Sequence, residues 1–288
     1  MTQTLGIVGG SGLYELDALT DVREIRVDTP YGRPSDVLVR GRLGAAELIF
    51  LPRHGRHHHL TPSEVPYRAN IWALKSLGVG WLLSASAVGS LRLDIEPGHL
   101  VVVDQFIDRT RGRASTFFGE GCVAHVAFGD PVCGTLRQYL LDAALEVGGT
   151  TLHDGGTYVC MEGPAFSTRA ESELYRSWGA DIIGMTNLPE AKLAREAGIS
   201  YATLAMATDY DCWNVDHDDV TVEQVITVLR SNAARARQII EALARRVSAH
   251  EGPAPMHDAL AAALITPVDK IPSATREKLA PIIGRYLR

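Results

Sequence analysis

The chain has 288 residues, of which 46% are apolar and 22% charged, enough for a hydrophobic core and too apolar for a disordered chain or a disulfide-stapled mini-protein. Acidic side chains outnumber basic ones by 34 to 28 with the two signs well mixed, so nucleic acid and anionic membranes are disfavoured as partners. Cys122, Cys133, Cys160 and Cys212 form no CxxC pair and read as reduced thiols; with no basic leader and no run of twenty apolar residues, a soluble cytoplasmic protein of one large domain is expected.

In chain order, strand-length apolar runs alternate with longer segments of helical period, the pattern of an α/β fold. Strands are predicted over 5–8, 24–27, 36–39, 47–51, 81–87, 99–106, 156–160, 181–184 and 201–207, and helices over 67–77, 131–147, 168–177, 189–197, 221–249 and 273–287. The stretch VREIRVDTPYGRPSDVLVRGRL reads as an antiparallel hairpin turning at Pro30, Gly32 and Pro34. YATLAMATD is apolar enough for a strand covered on both faces. From Val220 to Ile240 apolar residues recur at three-to-four spacing, which predicts one long amphipathic helix. EGPAP at 251–255 reads as a hinge, dividing a body over 1–250 from a helical extension over 251–288 that packs on the same domain or on a neighbouring subunit.

Five segments carry side chains suited to chemistry. In GIVGGSGLY a short strand runs into Gly9, Gly10, Ser11 and Gly12, where backbone N–H groups and a hydroxyl can converge on an anion; a strand-exit turn without ligand fits equally well. The spacing is neither a dinucleotide fingerprint nor a Walker A loop. In LPRHGRHHHLTP, Arg53 and His54 sit at a strand end as candidate anion ligands, while the three consecutive histidines alternate in direction and do not share a metal. SASAVGSLR places Ser86, Ala87, Gly89 and Ser90 where a backbone can approach a ligand or simply make a packed turn. CMEGPAFSTRAE joins a Gly-Pro break and Phe166, able to stack on a flat ring or to join the core, to a capping box from Thr168 to Glu171. MATDYDCW puts Asp209 and Asp211 just past a buried strand, placed for proton chemistry or polar-ligand binding, or for capping a turn.

Together with YRANIWALK, DQFIDRT, GADIIGMT and PEAKLAREAG, these segments resemble the 5′-methylthioadenosine phosphorylase branch of the trimeric purine nucleoside phosphorylase family, over about residues 5–249. The resemblance implies a single α/β domain with a mixed, partly barrelled sheet surrounded by helices, a homotrimer, and no metal or organic cofactor. The reaction it implies is attack of inorganic phosphate, a co-substrate, on a nucleoside. It places phosphate ligands on Ser11, Arg53, His54, Ser86, the Ala87 backbone and Thr186, and ribose contacts on Met185 and the Ser86–Ala87 backbone. Phe166 falls against the base, Asp209 and Asp211 over the purine, Val222 and Val225 around the 5′-substituent, and His125 is offered to that pocket by a neighbouring subunit. Gly184 and Asn187 depart from the relatives' pattern, and the tail after Glu251 matches it poorly.

Cleaving an N-glycosidic bond builds positive charge on ribose and negative charge on the departing purine, so an anion and a proton donor at N7 are needed. A phosphate held near His54 supplies the first, and a buried Asp209 the second, with Asp211 accepting from a 6-amino group. By the same resemblance, two Asp imply adenine over a 6-oxopurine. Competing expectations are action on other purine or 5′-halo nucleosides, hydrolysis in place of phosphorolysis, and a nucleoside-sensing protein without turnover.

Overall fold

The computed structural model describes residues 3–10, 19–214 and 222–287, over 222–233 the backbone alone. Strands β1 (Thr4–Gly9) and β4 (Ala46–Pro52) pair in parallel and are covered on both faces, which is why they read as unbroken apolar runs. Strand β3 (Leu38–Leu43) pairs antiparallel with β4 across a turn at Gly44, whose φ of +59° favours glycine, and with β2 (Thr20–Ile25) on its other edge. The antiparallel hairpin expected around Pro30, Gly32 and Pro34 is present, with a turn closed by the Gly32 N–H on Thr29 O at 3.1 Å, but its connection is longer, over 26–37. Proline cannot donate to a ladder, and β3 begins only at Leu38.

Helix α1 (Tyr67–Ser76) leads into β5 (Trp81–Ser90). The single strand expected over 99–106 is two, β6 (Leu100–Val102) and β7 (Gln105–Asp108). Between them the backbone N–H of Val103 bonds to Thr203 O and that of Asp104 to Gly156 O, as the chain passes from one partner strand to another. Then come α2 (Gly134–Val147), the unanticipated three-residue β8 (Leu152–Asp154), β9 (Thr157–Cys160), α3 (Arg169–Ser177), β10 (Ile182–Gly184), α4 (Asn187–Glu196), β11 (Ser200–Asp209) and α5 (Val222–Ser248). The helix expected over 273–287 is broken into α6 (Ser273–Lys278) and α7 (Ala280–Ile283), because Pro281 lacks the N–H that would continue α6.

The eleven strands form one mixed sheet in the order β2-β3-β4-β1-β5-β10-β9-β7, with β11 also on β5, β6 on β11 and β8 on β6. One face is covered by α1, α4 and the tail, with Ile71, Leu74, Leu193, Leu279, Ile282 and Ile283 in a common core. The other is covered by α2 and α5 through Leu136, Leu140, Ile239 and Leu243. Trp72 Nε1 of α1 donates to Lys278 O of the tail at 2.9 Å. Burying each large apolar side chain of the tail contributes roughly 1.5–3 kcal/mol, so the extension carries a substantial share of the core's stabilisation. Among the described residues no helix is long and apolar enough to cross a membrane.

The sheet forks at β5. On one edge β5 pairs with β1 as far as Val8 opposite Ser84, and then with β10 from Ile183 opposite Gly89; among the described residues 85–88 have no strand partner on that edge. Its other edge runs along β11 from Trp81 to Gly89. Such splits between strand ends are where open α/β sheets form a ligand crevice.

Candidate active site

Ser86 and Ala87 lie in the gap of the fork, beside Ala205 and Met206 of β11, and the same pairing sets Asp209 opposite Gly89 after an irregularity at Ala207. A Cβ at position 89 would lie 2.9 Å from Asp209 Oδ1 and 3.0 Å from Ile183 Cγ2, so the close approach of the carboxylate requires glycine there. Tyr158 of β9, fully buried, brings its hydroxyl to 3.5 Å from Ser86 Oγ and against the backbone of Thr186. It thus joins two of the expected phosphate ligands. A Cβ on Gly184 would lie 2.0 Å from that hydroxyl, which accounts for glycine at a position noted as a departure. Thr186 is buried and precedes α4 without its side chain capping the helix.

Asp209 Oδ1 accepts the Asp211 N–H at 2.8 Å, and Oδ2 lies 2.7 Å from Thr208 Oγ1. Thr208 Oγ1 also lies 3.2 Å from Val88 O; its single proton serves one acceptor at a time, so donation to Val88 leaves an oxygen able to receive a proton from Asp209. Burial pushes the Asp209 carboxyl up, against the bonds from Thr208 and the Asp211 amide and with help from the Asp211 charge. Asp211, in a turn with φ of +52°, is 6% exposed, and burial raises its carboxyl too, moderated by the hydroxyls of Ser172 and Ser167 nearby. Its Oδ2 is buried with no partner at hydrogen-bonding distance among the described residues, a costly state for a polar atom, and Ser172 Oγ is likewise buried without one.

Cys212 Sγ donates to Ser167 O at 3.2 Å and so ties the two acids to the Gly-Pro loop. Phe166 on that loop is 47% exposed, free of the core and able to cover a ring. Met185 reaches the loop's other end: a Cβ on Gly163, whose φ is +66°, would lie 2.5 Å from Met185 Sδ. Arg113, absent from the sequence candidates, fixes this corner by donating to Met185 O at 2.6 Å, Leu188 O at 2.9 Å and Glu162 O at 2.6 Å, with its side chain buried. Nothing in the local sequence separates it from the solvated arginines beside it.

Two residues at the end of β4, expected as anion ligands, are held by partners of their own. The Arg53 guanidinium, read as a fork for an anion, turns inward: its Nε and Nη2 pair with Glu190 at 2.8 and 3.0 Å, and both side chains are only 2–3% exposed. His54, read as an anion ligand, has Nδ1 2.8 Å from Leu60 O; a carbonyl only accepts, so Nδ1 carries the proton and Nε2 the lone pair. Burial, then the Arg53 charge, hold His54 down to about 4, so the ring is neutral at pH 7 and offers an acceptor at Nε2. The backbone N–H of Arg53 bonds to Gly9 O at 2.9 Å, which delivers His54 beside the glycine turn.

His57, His58 and His59 are exposed, and no three His, Cys, Asp or Glu side chains among the described residues gather as a metal site. His125 is exposed, on a segment bonded to the tail through its N–H and Ala263 O, and the structure does not bring it to the other site residues. Ser11 and the side chains of Val222 and Val225 lie outside the described residues.

The model of the Phosphorylase superfamily matches residues 4–245 of this chain. The S-methyl-5′-thioadenosine phosphorylase of Thermosynechococcus vestitus is 59% identical over 289 aligned positions, covering 100% of both chains. A crystal structure of a methylthioadenosine phosphorylase from an antarctic soil metagenomic library superposes with a TM-score of 0.93 at 49% identity, over 98% of this chain and 99% of that one. A mutant adenosine/methylthioadenosine phosphorylase of Schistosoma mansoni, solved with methylthioadenosine, has a TM-score of 0.82 at 39% identity over 86% of this chain and 93% of that one.

Proposed function

The chain belongs to the phosphorylase superfamily, and from that membership we propose that it is a pentosyltransferase that cleaves 5′-methylthioadenosine with inorganic phosphate, releasing adenine and 5-methylthioribose 1-phosphate. The observation that carries this reading is the buried Asp209–Asp211 pair set beside the unpaired edge of β5 at Ser86 and Ala87. Phosphate sits against Ser86, the Ala87 backbone, Thr186, Ser11, His54 and the Arg53 segment, and the ribose against Met185. The base lies under Phe166. Asp211 Oδ2, buried and unpartnered, accepts from the 6-amino group. Asp209, whose carboxyl burial raises, shares a proton with N7 as the glycosidic electrons move onto the purine. Phosphate then attacks the cationic C1′. His54 Nε2 accepts a hydrogen bond from the hydroxyl that a phosphate dianion carries.

Val222 and Val225, together with the partner subunit's His125, enclose the 5′ group in a cytoplasmic homotrimer, and the chemistry calls on no metal or organic cofactor. The body over 1–250 is the catalytic domain and 251–288 its extension. Incubating the protein with methylthioadenosine, with and without phosphate, tests the reading: adenine release must depend on phosphate. Equal release without it identifies a hydrolase, and no release in either condition a binding protein.

A further inference from the structure

Helix α4 ends in two adjacent charged side chains, Arg195 and Glu196, exposed by only 9% and 8%. Burying a charge is costly unless its hydrogen-bonding groups are met. Glu196 accepts from Thr116 Oγ1 and from the Phe117 N–H, each at 2.7 Å. Arg195 Nη1 donates to Ala127 O at 2.6 Å and Nη2 to Asp130 O. Both side chains thus spend their bonds on the two ends of one surface segment, 116–130, and His125 lies between those ends. Bonds to a carboxylate or a guanidinium are stronger than neutral ones, so the ends are held firmly. Within the segment Phe117 and Cys122 are buried, and the His125 N–H donates to Ala263 O at 2.9 Å beside a bridge from Ala124 to Leu264. The backbone of His125 is therefore fixed while the residue stays exposed.

We infer that Glu196 and Arg195 are positioning residues: they clamp both ends of 116–130 so that His125 stands out toward the 5′ pocket of the neighbouring subunit, and thereby set how tightly that pocket holds a methylthio group. This rests on the proposed reading of the protein as a methylthioadenosine phosphorylase with His125 at the 5′ group.

Steady-state kinetics with methylthioadenosine and with 5′-deoxyadenosine, which lacks the methylthio group, test the clamp. Glu196→Gln replaces one of the two acceptor oxygens by a donor, and should raise the methylthioadenosine KM about fivefold to tenfold. The KM values for 5′-deoxyadenosine and for phosphate should stay within about twofold. Thr116→Val removes one hydroxyl at an exposed position and guards against a Glu196 variant that fails to fold. It should raise the methylthioadenosine KM about threefold, and Thr116→Ser, which keeps the hydroxyl, should restore it. Because the clamp acts through His125, neither change should add to the loss in a His125→Ala background. A KM that rises equally for both nucleosides, that moves in neither variant, or that rises undiminished on top of His125→Ala, overturns the inference. If His125→Ala alone leaves the ratio of the two nucleoside KM values unchanged, or wild type releases adenine without phosphate, the functional reading beneath it falls instead.

Discussion

Gly89→Ala is the sharpest perturbation of the acid pair that leaves both acids in place. The added Cβ would meet Asp209 Oδ1 at 2.9 Å, Ile183 Cγ2 at 3.0 Å and Asp211 Cβ at 3.4 Å. Carbon–oxygen contacts relax at about 3.4 Å, so the Asp209 carboxylate retreats by roughly 0.5 Å, the limit within which catalytic groups must be held. A displacement of 1 Å costs on the order of 10²-fold, so kcat should fall about tenfold. Overpacking costs about 1–3 kcal/mol, which for a chain this long lowers Tm by several degrees without unfolding it at 25 °C. The assay is adenine release at saturating phosphate, alongside a thermal melt and the phosphate KM, which should stay within about threefold because the atoms nearest the added methyl belong to Asp209, Ile183 and Asp211. A Tm that falls while kcat holds would refute the claim that the position of Asp209 governs the chemical step.

Asp209→Ala should lower kcat and kcat/KM together by roughly 10² to 10⁴-fold, since it removes a stabilisation made mainly in the transition state. A nucleoside with an activated leaving group should be largely spared, and an equal loss on both substrates would make Asp209 positional. Asp211→Asn tests the burial of the second acid through stability. The folded state raises this carboxyl, so the stability tied to its proton is full below the unfolded value near 4 and is lost as pH rises through the raised value. The variant, uncharged throughout, should melt higher than wild type at pH 8, by about 3 °C for each kcal/mol, with the gain vanishing below about pH 4. A gain independent of pH, or a loss at pH 8, would contradict it.

Much of the site was legible because its residues sit at the ends of buried strands, and those strands announce themselves as apolar runs: β1 before Gly9, β5 through Ser86 and β11 before Asp209. What the sequence could not carry is non-local. Arg53 at a strand end gives no sign of its buried counter-ion, because Glu190 is 137 positions away. Val103 continues an apolar run, yet the chain changes partners over Val103 and Asp104 because Thr203 and Gly156 claim their amides. The fork in β5 arises from β1 ending at the level of Ser84 and β10 beginning at Gly89, two register facts with no local signature. Tyr158 and Arg113 are held by groups scattered along the chain, Ser86 for the first and Ser63, Tyr67, Glu162, Met185 and Leu188 for the second, contacts that no residue pattern encodes.

The central claim is that phosphate oxygen, and not water, forms the new bond at C1′ as the purine leaves. Turnover of methylthioadenosine with phosphate labelled at all four oxygens by ¹⁸O, followed by mass spectrometry of the sugar product, tests it most directly. Expected is 5-methylthioribose 1-phosphate retaining all four labels, formed in step with adenine; free 5-methylthioribose carrying solvent oxygen, at a rate indifferent to phosphate, would contradict it.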